Sequence, residues 1–233
     1  MKRTIHRPVL VHEREESGFA MQFEINPDRD VLPLFPTPVA CFPIANADEI
    51  NPGIERAILQ RESTVRGLRN SNVGGWQSEL DLIEWPESEI AELVENIKCG
   101  VFNMVGLLSG IRKFDSTLGL VAWANVSRSG HFNQVHTHPG NQWSGVYYVA
   151  PGEFEDDDVE YPGQLQIHDP RDRAEMIIHP GMPFGHPFRI EPVAGMMVIF
   201  PAWLAHSVNV FYSQTTRISV SFNAELKSFK ESS

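Results

Sequence analysis

The hydrophobic rhythm of this chain changes near residue 120. Before that point, apolar residues recur three and four positions apart. Ile54, Ala57 and Ile58 follow Asn51-Pro52, and Ile90, Leu93, Val94, Ile97, Val101, Met104 and Leu108 form one long stripe. Residues at that spacing share one helix face, so two amphipathic helices are predicted. The first is expected to begin with Asn51 as N-cap and Pro52 at the first helical position, the second near Pro86. LPLFPTPVACFPI, 32–44, carries too many prolines for a central strand and reads as an edge or extended segment. SNVGGWQSEL, 71–80, reads as a loop around Trp76.

After residue 120 the pattern shortens to β-type runs separated by Gly, Pro and Asp. They are LVAWANV, HFNQVHTH, SGVYYVA, GQLQIHD, AEMIIH, HPFRIEP, MMVIFPA, HSVNVF and RISVSFNAEL. Short strands with frequent turns predict an antiparallel sandwich or barrel. The fold class is therefore mainly β (α+β), with the N-terminal helices packed on one sheet. Residues 1–120 are expected to support a β core at 121–233, the two forming one domain. The longest interruptions, 150–163 and 169–187, are the expected mobile loops, the second a candidate lid.

Composition narrows the field. The 233 residues carry a formal net charge of −11, and no basic patch stands out, so no nucleic-acid partner is expected. The acidic run EFEDDDVE, 153–160, reads as a solvated loop. The two cysteines, Cys41 and Cys99, form no disulfide framework and suit a reducing cytoplasm. No apolar run has the length of a signal peptide core or a membrane span. A soluble cytoplasmic protein is expected, with no membrane partner; an exposed edge strand leaves a homodimer open.

The candidate chemistry begins with GHFNQVHTHPG, 130–140. On a strand, His136 and His138 point the same way, because side chains alternate with a period of two. Two imidazoles facing a core are hard to satisfy; facing a metal they are natural ligands. PAWLAHSV adds His206 at the start of a late strand, which a jelly roll can bring beside an early one. In TTRISVSFN, Arg217, Ser219, Ser221 and Asn223 share a face opposite Ile218, Val220 and Phe222. A polar face led by arginine is costly in a sealed core but suits a pocket wall, where the guanidinium fork grips a carboxylate and a serine adds a hydrogen bond. His6, His12, His131, His179 and His186 read as ordinary surface or core residues, and His168 stands at a strand end with a weaker claim on the site. Trp123 and Trp203 read as core. Of Tyr147 and Tyr148, one must point inward.

Metal pair, late histidine and arginine come in the order seen in a known superfamily. Residues 121–224 resemble the double-stranded β-helix (a cupin-like jelly roll) of the 2-oxoglutarate- and Fe(II)-dependent oxygenases. There a glycine stands six residues before the first ligand, as Gly130 does before His136, and Arg217-Ile-Ser219 matches an Arg-x-Ser pattern. LFPTPV, GGWQS, HTHPG with SGVYYV, DPR and FPAWLAH extend the likeness to a bacterial and phage family of such oxygenases. The resemblance implies Fe(II) on His136, His138 and His206, and 2-oxoglutarate held through Arg217 and Ser219. It implies oxidative decarboxylation of 2-oxoglutarate coupled to hydroxylation of a substrate the sequence does not name, small molecule or peptide. One departure stands out: the superfamily's acidic ligand falls at His138. His138 itself, a carboxylate such as Asp169, or water are the three candidates for that position.

Two other readings keep the fold. Gly130 and His136-Thr-His138 also fit the first cupin motif, with GMMVIFPAWLAH approximating the second, which implies metal chemistry without 2-oxoglutarate. That reading lacks the usual glutamate and leaves Arg217 and Ser219 without a task. The other is a non-enzymatic jelly-roll binding module, whose metal would be coordinatively closed.

Overall fold

The computed structural model describes residues 26–32, 34–111, 113–153, 161–176 and 185–231. The chain forms two compact units, 1–36 and 37–233. In the first, α1 (Pro27–Asp30) is a single turn whose Asn26 Oδ1 accepts from the Asp28 amide at 2.9 Å. The second unit holds β1 (Ala40–Pro43), α2 (Ala47–Thr64), β2 (Asn72–Val73), β3 (Trp76–Gln77), α3 (Ser88–Ser109), β4 (Phe114–Asp115) and β5 (Leu118–Ser127). It continues through β6 (His131–His136), β7 (Trp143–Ala150), β8 (Leu165–Ile167), β9 (Phe188–Ile190), β10 (Met196–Pro201), β11 (His206–Phe211), β12 (Arg217–Leu226) and β13 (Lys230–Glu231).

Two antiparallel sheets face each other, in the orders β1-β10-β7-β12-β5-β3 and β2-β6-β11-β8-β9. The proline-rich opening does form an edge strand, β1, which among the described residues pairs only with β10. Alternation along the large sheet assigns its two faces. Ile218, Val220, Phe222 and Ala224 of β12, with Tyr147 and Val149 of β7, pack against Ile54, Ile58, Ile90, Leu93 and Ile97 of the two long helices. Val146, Tyr148, Val198 and Phe200 turn the other way, toward Leu165, Ile167 and Ile190 of the small sheet. Each such fully buried aliphatic side chain stabilises the fold by about 1.5–3 kcal/mol. Gly145 sits where the strands are tightest. A Cβ there would lie 2.3 Å from the Phe222 ring and 2.5 Å from the Val198 carbonyl oxygen, so no other residue fits without displacement.

The helix predictions need adjustment. α2 begins at Ala47, four residues before the expected cap, and Pro52 lies inside it. Asn51 is no cap: its Nδ2 donates to Val149 O at 3.2 Å and its Oδ1 accepts from the Tyr147 hydroxyl at 2.6 Å. The side chain ties helix to sheet, a demand invisible in local sequence. α3 ends at Gly110 in the left-handed conformation (φ 72°), a common helix stop. Its stripe is buried through Met104, but Leu108 is exposed. The predicted strand AEMIIH is not one where it is described: Ala174–Met176 forms a 3-10 turn. Residues 177–184, most of the acidic run (154–160), and His6, His12 and His179 lie outside the described residues, so the lid expectation is only partly covered.

Candidate metal centre

The site is built where β6, β11 and β12 look into the space between the sheets. Gly130 makes the turn into β6 with φ 87°, a left-handed conformation that glycine adopts at little cost. β6 and β11 then pair irregularly: His206 opposes His136 and Val208 opposes Asn133, so β6 carries one extra residue. Such a bulge re-aims side chains. Gln134 and Val135 are both exposed, while Asn133 and His136 both line a cavity of about 350 Å³.

His138 reaches the same cavity by a different route. The expectation that it shares a strand face with His136 is corrected, because β6 stops at His136. His138 lies in the following turn, pinned by its amide to Ala202 O at 2.9 Å, and Ala202 in turn donates to Gln142 O at 3.0 Å. The turn leading into His206 therefore anchors the turn carrying His138. One nitrogen from each of His136, His138 and His206 lies within 4.8 Å of the others. His138 Nε2 and His206 Nε2 are 3.2 Å apart. The far nitrogens are held: His136 Nδ1 is 2.7 Å from Gln134 O and His206 Nδ1 2.8 Å from Leu204 O. A Nδ1–H donated to a carbonyl leaves Nε2 as a lone pair, the tautomer a metal requires.

Electrostatics agrees with neutral rings. Burial, then the neighbouring His136, pushes His206 down to about 3. Burial and His136 bring His138 down to about 4, and His136 is lowered by burial too. Deprotonated imidazoles converge on one point, and among the described residues no carboxylate joins them. Asp169, one of the candidates for that third position, is engaged elsewhere: it accepts from Arg171 Nε at 2.9 Å and the Gly185 amide at 3.1 Å. Three neutral imidazoles suit a first-row divalent ion such as Fe(II).

Across the cavity lies Arg217, 3% exposed, at the head of β12. Its Nη1 is 3.4 Å from Ser219 Oγ and its guanidinium carbon 5.3 Å from the Tyr148 ring centre. Arg217 Nε and the Tyr148 hydroxyl are both buried with no well-formed hydrogen-bond partner, the hydroxyl lying beside the guanidinium. Among the described residues no carboxylate pairs with this arginine. Burial pushes its guanidinium below the ordinary range and Tyr148 up to about 12, the arginine opposing the latter.

The predicted polar face of β12 is thus real: Arg217, Ser219, Ser221 and Asn223 all line the cavity. Tyr148 is the inward tyrosine, a choice fixed by the register of β7 against β12. Ser71 and Asn133 were not foreseen. Ser71 Oγ is 3.4 Å from His136 Nε2 and accepts from Asn133 Nδ2 at 3.2 Å. No local signal marks them, since Ser71 belongs to a loop 65 positions away from His136 in sequence. Trp123 is buried as expected and also lines the cavity, whereas the expectation for Trp203 is corrected: it is 57% exposed in a turn. His168 bonds Ser207 Oγ at 3.0 Å outside the triad, His131 Nδ1 accepts from the Arg128 amide, and His186 is exposed.

Comparison with known proteins adds a family match. Residues 121–223 match the family described as "Putative 2OG-Fe(II) oxygenase". The resemblance of the β half to 2-oxoglutarate- and Fe(II)-dependent oxygenases is borne out by this match, which spans less than half of the chain. No curated protein matches the chain in sequence. Among solved structures, a Pseudomonas putida prolyl-4-hydroxylase is 16% identical with a TM-score of 0.56, covering 84% of this chain and 94% of its own. A Trichoplax adhaerens prolyl hydroxylase, solved with a hypoxia inducible factor peptide, is 13% identical with a TM-score of 0.55, covering 83% of each chain. HygX from Streptomyces hygroscopicus, solved with nickel and 2-oxoglutarate, is 10% identical with a TM-score of 0.53, covering 84% and 85%. These likenesses establish the double-stranded β-helix fold.

Proposed function

We propose that this chain is a 2-oxoglutarate-dependent Fe(II) dioxygenase in which His136, His138 and His206 hold the metal and Arg217, Ser219 and Tyr148 hold the far carboxylate of 2-oxoglutarate. One observation carries the reading. A buried arginine without an anion partner shares a cavity with three converging imidazole nitrogens. An ion left uncompensated in a protein interior costs several kcal/mol. A dicarboxylate entering the cavity offsets that cost, and Arg217 Nε and the Tyr148 hydroxyl, neither with a well-formed bond, supply donors for it.

When bound, Fe(II) and 2-oxoglutarate supply oxygen chemistry that converts the cosubstrate to succinate and carbon dioxide and hydroxylates a C–H bond of the substrate. The chain's own part is placement. His136 and His206 present lone pairs fixed by backbone carbonyls, and Arg217 with Ser219 sets the cosubstrate's far end. Trp123, Leu165 and Phe200 give the cavity apolar walls that restrict water. With no carboxylate ligand, the triad leaves the metal's full charge in place, and a dianionic cosubstrate compensates it in a low-dielectric space.

The cupin and binding-module alternatives both leave Arg217 buried and unused. No helix among the described residues is long and apolar enough to cross a membrane, and Cys41 and Cys99 are free, which supports the cytoplasmic placement we infer. The deciding experiment is anaerobic titration of the Fe(II)-loaded protein with 2-oxoglutarate, watching the visible metal-to-ligand charge-transfer band. A band that weakens strongly in Arg217→Ala is the expected result. Retained iron with no band would overturn the assignment.

A further inference from the structure

The charges of the cavity and its cosubstrate do not balance. Among the described residues that line it there is no aspartate, glutamate or lysine, and Arg217 is the one side chain of fixed charge. Imidazole ligands are neutral and bring no charge to the ion they hold. A divalent ion and Arg217 therefore set three positive charges against the two negative charges of 2-oxoglutarate. The far carboxylate answers Arg217 and the near one answers half of the ion's charge, so the surplus lies at the metal end. A carboxylate ligand would cancel it, but residue 138 is histidine, and Asp169 is bound to Arg171 and the Gly185 amide. A charge left uncompensated away from bulk water is costly.

The wall beside that surplus consists of neutral hydrogen-bonding groups. Ser71 Oγ lies 3.4 Å from His136 Nε2 and 3.2 Å from Asn133 Nδ2, and the neighbouring Asn70 lines the cavity as well. A side-chain amide carries two N–H donors whichever way it is turned, so this wall can hold an anion in either orientation of its amides. The segment bearing Asn70 and Ser71 is tied down by its own hub. Asn72 Oδ1 accepts from the Asn70 amide at 2.8 Å, while its Nδ2 donates to Leu68 O at 3.1 Å and Gly75 O at 2.7 Å. The Gln134 amide donates to Ser71 O at 2.9 Å, fixing the segment to β6. Charge along it points the same way. Residues 63–78 hold Arg66 and Arg69, both exposed, and no acidic residue, in a chain of net charge −11. Among the described residues neither arginine forms an ion pair.

We propose that the substrate is an anion whose carboxylate is received by Asn70, Ser71 and Asn133 beside the metal centre. The inference rests on the metal and cosubstrate reading given above and adds the chemical class of the molecule that follows them. A cationic group would add to the surplus and meet no acid, and a neutral one would leave it in place. A carboxylate cancels it, and Arg66 and Arg69 add a local attraction on a chain that otherwise repels anions.

Three probes of similar size and different charge test this: butyrate, butyramide and butylammonium. Each is titrated without oxygen into full-length protein already loaded with Fe(II) and 2-oxoglutarate, and binding is read from a shift of the charge-transfer band. Ligand-observed NMR on protein loaded with Zn(II) and 2-oxoglutarate reads the same series without iron. Butyrate should bind about tenfold or more tightly than butyramide, shifting the band without bleaching it, and butylammonium should not bind. Asn133→Asp sets a carboxylate in the wall and should abolish the preference for butyrate in protein that still forms the band; the wild-type series decides by itself if that variant does not fold. Butyramide or butylammonium binding as tightly as butyrate, no binding of butyrate, or butyrate that bleaches the band by displacing 2-oxoglutarate would overturn the anionic substrate and leave the cosubstrate assignment standing. No band before any probe is added would remove that assignment, and this inference with it.

Discussion

The two faces of β12 are built from alternate residues of one ten-residue strand, yet they meet different demands. Ile218, Val220, Phe222 and Ala224 are wholly buried against helices and find all they need within the chain. Arg217, Ser219 and Asn223 are almost as buried, but Arg217 Nε and Asn223 Oδ1 find no partner. The helix face is complete as folded. The cavity face is complete only with something in it, and burial by itself does not tell the two apart; hydrogen-bond satisfaction does.

Cutting into the helix face should have the largest effect on stability. Phe222→Ala removes a fully buried ring from the main core, and such truncations cost about 3–5 kcal/mol. Thermal unfolding should show the loss, while the variant that remains folded still binds Zn(II). Acid, by contrast, should act on the cavity face. His138 is held near 4 and His206 near 3, against about 6.5 in an unfolded chain. The unfolded state then binds more protons, so stability rises with pH. The contribution is fully present above about pH 6.5 and is lost as pH falls toward 4 and then 3. Denaturant melts of metal-free protein across that range check it, and His206→Gln should flatten the slope.

Much of this contrast was legible in the sequence. Alternation alone assigned every residue from Arg217 to Asn223 to the correct face, and the His-x-His pair with a late histidine marked the triad. What could not be read was long-range. The bulge that turns Asn133 inward depends on pairing with β11, and His138 meets His136 through a turn stitched to Ala202, not through strand parity. Asn51 looked like a helix cap because its other use, a bond to a strand 98 residues away, has no local trace.

Arg217→Met should separate stability from function. Without an anion the arginine is an unpaired buried cation, so an apolar residue of similar reach should leave metal-free protein unchanged or more stable by about 1–3 kcal/mol. The same variant should lose the 2-oxoglutarate charge-transfer band. A large drop in melting temperature would mean that Arg217 has a partner within the fold, and the claim of an incomplete face would fail.

The finest test uses two neighbouring tyrosines. Tyr147 and Tyr148 are both fully buried and stand on opposite faces of β7. The Tyr147 hydroxyl donates to Asn51 Oδ1 at 2.6 Å, whereas the Tyr148 hydroxyl has no well-formed partner. Tyr147→Phe leaves Asn51 Oδ1 without its donor and should cost about 1–2 kcal/mol, with 2-oxoglutarate affinity unchanged. Tyr148→Phe removes a hydroxyl with no well-formed bond beyond its approach to the Arg217 guanidinium, so stability should change little while 2-oxoglutarate binds more weakly. Paired melting curves and anaerobic titrations read both. If the two substitutions gave the same profile, the hydroxyls would be equivalent and the distinction between a closed face and an open one would not survive.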